Sequence, residues 1–174
     1  AAEVAGDLGL QNIKAKLRLM STWSGLELPD PNLETISRDL DHVRVEWPAG
    51  IDFELEAAFL TISARLHALT ESESQLNDAL CNLEALGPSL PIVLRLKTMA
   101  HASETCALAG LFSKSMTIAK SCESQLLSAE PHLDLPEVWG RLANASDIAG
   151  QPSEALRYYK YAAGVGRPRV TYSK

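Results

Sequence analysis

Apolar residues recur along this chain at intervals of three and four, and glycine, proline and short polar runs break the pattern at regular distances. Between Asp7 and Trp23, the residues Leu8, Ile13, Leu17 and Met20 share one helical face, the kind an amphipathic helix turns toward a core. The stretch from Ser24 to Pro31 predicts a break. Asn32 can cap a second helix carrying Leu33, Ile36, Leu40 and Val43 on one side, which must end before Pro48 and Gly50. A third helix is predicted from about Asp52 to Leu69. A turn over Thr70–Ser74 leads into a fourth that reaches Leu86, where Gly87 and Pro88 stop it. A fifth runs from near Pro91 to Gly110, and a sixth from about Ser113 to Ala129, ended by Pro131. Pro136 suits the first residue of a seventh, which ends at Gly150. The eighth starts near Pro152 and stops at Gly164. Residues 43–47 are the best strand candidate, but too short and unpartnered to build a sheet.

The predicted helices pair, and the pairs recur at about 40 residues. Phe59, Met99 and Trp139 coincide as large apolar residues, followed by Ile62, Ala102 and Leu142, then the small Ser63, Ser103 and Ala143. The turns fall on Thr70, Gly110 and Gly150. On the second helices Leu76, Met116 and Leu156 align, then Ala79, Ala119 and Tyr159. The clearest copy, 136–164, holds Trp139, Leu142, Ala143, Gly150, Ala155, Tyr159 and Ala162. Ala143 and Ala155 would let two helices approach, and Trp139 and Tyr159 would fill the wedge between them.

This order of large, small, glycine, alanine and aromatic positions resembles the tetratricopeptide repeat. The family period is 34 residues, so longer helices and proline-bearing linkers must account for the extra length. Two copies are degenerate, with Thr70 in place of the glycine and Gln75 or Ser115 in place of the alanine. The resemblance implies an all-α fold: a right-handed superhelical stack of antiparallel helical hairpins, about eight helices in one domain. That domain would span residues 1–164, with hairpins at about 7–46, 51–87, 91–130 and 136–164, followed by an extended basic tail or linker at 165–174. Alternatives to the repeat array are a compact bundle with accidental spacing and HEAT-like repeats.

Composition sharpens this picture in three places. Aromatic residues are only 6% of the chain, which suits Ala- and Leu-rich helices better than sheets. The net charge of −6 is unevenly spread: residues 51–90 carry seven acids against Arg65 alone, and 151–174 carry five bases against Glu154. An acidic chain makes nucleic acid an unlikely partner unless the terminal bases cluster. Cys81, Cys106 and Cys122 have neither disulfide nor zinc spacing and read as small buried hydrophobes in a reducing, intracellular and cytoplasmic setting. No apolar run approaches the roughly 20 residues of a membrane span. The chain begins with Ala1, which points to a processed form or part of something longer.

No residue pattern signals catalysis. His42, His67, His101 and His132 are scattered without metal-ligand spacing. The serines lack a nucleophile elbow, and Gly164 and Gly166 flank no strand-to-helix turn. The expectation is a chain without enzymatic activity, metal or cofactor. The family resemblance instead implies that one face of each first helix lines a concave groove. Here that face would hold Lys97, His101, Glu104, Glu137, Arg141 and Asn144, with Thr61 and Ala64 from the preceding repeat. Some family members grip a terminal carboxylate in this groove. Arg141 and Asn144 sit at comparable places, but Leu60 and Ala64 replace two companion residues, so that ligand does not carry over. The expected function is a scaffold or adaptor module that binds a partner polypeptide segment, with self-association or further repeats at the C-terminal end. The alternative is a ligand- or peptide-responsive sensor domain of a signalling or transcription regulator.

Overall fold

A computed structural model describes residues 2–47, 52–130 and 132–166, with side chains from residue 10 onward. Among these residues the chain forms eight α-helices and no strand: α1 (Ala2–Leu26), α2 (Leu33–Glu46), α3 (Phe53–Leu69), α4 (Glu73–Leu86), α5 (Ile92–Leu108), α6 (Phe112–Ser128), α7 (Leu135–Ile148) and α8 (Pro152–Ala162). The breakers Pro48, Gly50 and Pro131, the Leu8 side chain and the tail beyond Gly166 lie outside the described residues. The fold is all-α, as the spacing predicts, and it divides into two compact units, Ala1–Leu86 and Gly87–Lys174.

In the first unit, α1 pairs with α2, α3 pairs with α4, and α1 packs along α3. Helix starts follow from side-chain caps. Asn32 Oδ1 accepts the Thr35 N–H at 3.0 Å, and Asp52 Oδ1 accepts those of Glu54 and Leu55 at 2.9 and 3.2 Å, satisfying amides that a helix start leaves unpaired. Ile36, Leu40 and Val43 are buried on α2, as their spacing predicts. The Arg44 guanidinium donates to both Glu56 oxygens at 3.1 and 2.9 Å and lies 3.9 Å from the Phe59 ring centroid, tying α2 to α3.

Helix α1 departs from expectation twice. It continues through Ser24 and Gly25 to Leu26, because Leu26 is buried against the unit's core. Burying a leucine contributes about 1.5–3 kcal/mol, more than the ~1 kcal/mol a helical glycine costs. More consequentially, α1 packs through Ala15, Leu19, Thr22 and Leu26, while Ile13, Leu17 and Met20 are 56%, 61% and 67% exposed. The face singled out by its apolar spacing is the outer one.

In the second unit, α5 pairs with α6 and α7 with α8, and α5 lies along α7. Small residues set the contacts. Ser103 and Ser115 are fully buried, the Ser103 hydroxyl donating to the Ser115 carbonyl at 3.0 Å, and Ala143 and Ala155 are buried on α7 and α8 as expected. Trp139 is buried, but its aromatic neighbours are Tyr158 and Tyr161, with ring centroids 5.5 and 5.0 Å away. Tyr159 and Leu156, aligned with core positions by the 40-residue shift, are instead 43% and 57% exposed.

Three hairpin turns share one geometry. The N–H of Ser72, Leu111 and Gln151 donates to the carbonyl of His67, Cys106 and Ser146, at 2.9, 2.8 and 2.8 Å, closing a Schellman cap. The left-handed residue just before each donor is Glu71, Gly110 and Gly150, with φ of 56°, 74° and 70°. So Glu71, not Thr70, occupies the glycine's place, and the first interval is 39 residues rather than 40. The same shift aligns buried Leu76, Leu80 and Leu83 of α4 with buried Ser115, Ala119 and Cys122 of α6.

Candidate functional site

The six residues expected to line a binding face lie at equivalent positions on α5 and α7. Lys97, His101 and Glu104 are spaced four and three apart, as are Glu137, Arg141 and Asn144. This spacing puts each trio on one face of its helix. Because α5 lies along α7, the two trios meet as a polar row.

The row is closed by its own ion pairs. At one end the Lys97 ammonium lies 3.0 Å from Asp134 and 3.3 Å from Glu137. At the other, Arg141 Nη1 donates to Glu104 Oε2 at 2.8 Å and Asn144 Nδ2 to Glu104 Oε1 at 3.2 Å. Arg141 Nε lies 3.5 Å from Glu137, linking the two ends. The Tyr159 hydroxyl donates to Asn144 Oδ1 at 2.7 Å, bringing α8 into the network. Early residues of α5 meet early residues of α7, and late meet late, so the two helices run parallel.

Burial and charge are graded across the row. Glu104 is 6% exposed, so its carboxylate needs donors such as Arg141 and Asn144. Lys97, Glu137 and Asn144 reach solvent. Burial works against the Lys97 ammonium, but the hydrogen bonds and charges of Asp134 and Glu137 outweigh it and raise its pKa above the usual lysine value. The row is thus a set of fixed, mutually neutralised polar groups.

Thr61 and Ala64, the other two expected contributors, are buried in the first unit, where the Thr61 hydroxyl donates to the Ala57 carbonyl at 2.7 Å. Sequence reasoning missed Asp134 and Tyr159. Asp134 sits one helical turn before Glu137, which was a usable signal. The 40-residue recurrence places Tyr159 in the wedge, but the neighbouring Tyr158 is the one buried there. A second polar cluster was also missed: the Glu123 carboxylate accepts the Tyr158 hydroxyl at 2.9 Å and Arg157 Nη2 at 3.0 Å, joining α6 to α8.

The cysteines divide. Burial pushes the Cys106 thiol up to about 11, with Lys114 opposing, and the Cys122 thiol up to about 12. Both are inert small hydrophobes, as expected. Cys81 is exposed, contrary to expectation, because it lies on the outer side of α4 beside the buried Leu80. Among the described residues no group of three or more His, Cys, Asp or Glu side chains is placed to hold a metal ion, and no helix is long and apolar enough to cross a membrane. Compared with known proteins, the chain matches no family model, no curated protein and no solved structure.

Proposed function

We propose that this chain is an interaction module of helical hairpins, built on the plan of a tetratricopeptide array, that holds a segment of a partner polypeptide along the polar row of α5 and α7. The observation that carries this reading is the row itself. Side chains at equivalent positions on adjacent helices are fixed by one another and not by the core alone. Groups held in place before binding lose less conformational freedom when a partner docks. Lys97, Glu137 and Asn144 offer an ammonium, a carboxylate and an amide to an extended or helical segment.

Glu104 and Arg141 are too enclosed to serve as clean probes, because removing either takes an ion-pair partner from a largely buried charge. Glu137 and Asn144 are exposed and suit the purpose. Affinity capture from native lysate with the wild-type chain and with Glu137→Lys/Asn144→Ala should recover a polypeptide that the variant loses several-fold, at unchanged helicity. Recovery of the same proteins in the same amounts by both would refute the assignment of the row.

A further inference from the structure

The outer face of α1 carries an exposed apolar stripe. Leu10, Ile13, Leu17 and Met20 are 53%, 56%, 61% and 67% exposed. Their spacing of three, four and three is that of the a and d positions of two heptads, the seam of a two-stranded coiled coil. From Leu10 to Met20, ten steps of the helix, the stripe runs about 15 Å. The opposite face of α1 is held in the first unit by Ala15, Leu19 and Leu26, so the stripe is mounted on a fixed helix.

Charge identifies the occupant. From Leu8 to Leu26 the chain has three bases, Lys14, Lys16 and Arg18, and no acid, although the whole chain carries −6. Arg18 is engaged by Glu46 at 3.3 Å. Lys14 and Lys16 are exposed and fall at the e and g positions, one on either side of the seam between Ile13 and Leu17. These positions select a coiled-coil partner by charge. A second copy of α1 paired over the same residues 10–20 brings no acid to them: run antiparallel, it sets lysine against lysine, and run parallel, it offers only Gly9 and Ser21. The stripe is also narrow, bordered by Gln11, Lys14, Lys16 and Ser21. A helix lying in a lipid surface presents a broader apolar face.

We infer that α1 binds an amphipathic helix of a partner protein that carries apolar residues at its seam and glutamate or aspartate at its flanks. This surface is independent of the α5/α7 row.

The test uses the whole chain and two synthetic helical peptides of about three heptads, with leucine at a and d and either Glu or Lys at e and g. Fluorescence anisotropy of the labelled peptides should show the Glu-flanked peptide binding at least tenfold more tightly than the Lys-flanked one. Lys14→Glu/Lys16→Glu should reverse that order, and Ile13→Ser/Leu17→Ser should abolish binding of both. All variants should keep the wild-type circular dichroism and melting temperature, because the altered side chains lie outside the core. Glu137→Lys/Asn144→Ala should leave peptide binding unchanged, which separates this surface from the row. Equal affinity for the two peptides, or none for either, overturns the inference. So does dimerisation of the wild-type chain in sedimentation that Ile13→Ser/Leu17→Ser removes, which would make a second copy the occupant. Binding to phosphatidylserine vesicles without binding to the Glu-flanked peptide would assign the stripe to a membrane surface instead.

Discussion

Helices α1 and α7 each open a hairpin, and each carries apolar residues three and four apart, yet they use them in opposite ways. On α7 the regularly spaced Val138, Trp139 and Leu142 are buried beside the small Ala143, and Trp139 meets the rings of Tyr158 and Tyr161. On α1 the regularly spaced Ile13, Leu17 and Met20 face outward, and the packing falls to Ala15, Leu19 and Thr22. The difference lies in the small residues. Helices approach closely where alanine, serine or threonine removes bulk, and a large residue gains most where a neighbouring small one leaves it room. Apolar periodicity marks a face; the small residues mark where another helix lies.

The sharpest test of that comparison is a pair of truncations. Trp139→Ala should cost about 3–5 kcal/mol in urea unfolding, as expected for a large buried aromatic. Leu17→Ser should stay within about 0.5 kcal/mol of wild type, as for an exposed position. Similar losses from both would mean that α1 buries its outer stripe in solution.

The polar row supplies the next largest effect. Glu104→Ala removes the acceptor of Arg141 and Asn144 and takes the shortest ion pair from the Arg141 guanidinium, which is 17% exposed and keeps Glu137 at 3.5 Å. Partial access to water moderates the penalty for breaking such a pair, and about 2 kcal/mol is expected. The double variant Glu104→Ala/Arg141→Ala should lose clearly less than the two singles summed, since both singles break the same ion pair. Strict additivity would show that the pair is not coupled.

The turns give the smallest effect, with opposite signs in the two units. Gly110→Ala forces a Cβ into the left-handed region and should destabilise by about 1 kcal/mol. Glu71→Gly relieves the same strain, and should raise the melting temperature through a gain of up to about 1 kcal/mol. If Glu71→Gly lowers stability instead, the Glu71 side chain contributes more than its backbone costs.

Much of the fold was legible in the chain. Asn32, Asp52 and Pro136 mark helix starts, and Gly110 and Gly150 mark ends, because caps and left-handed turns depend on the local backbone alone. The candidate row was legible as a set of positions, since a 40-residue recurrence brings Lys97 onto Glu137 and Glu104 onto Asn144. That these residues would bind one another was not legible. It depends on how close α5 and α7 lie, which the packing of the second unit's core sets. The exchange of Tyr158 for Tyr159 in the aromatic wedge has the same origin: adjacent positions differ by about 100° around a helix, and the packing partner decides which one enters.

The sequence by itself determined the helices and most of their boundaries, because each follows from interactions between residues a few positions apart. Only the tertiary structure decided which face of α1 is inner and that Arg141 and Asn144 hold Glu104. Those outcomes depend on close packing and on the matching of buried charge between segments tens of residues apart, and such contacts leave no periodic trace in either segment alone.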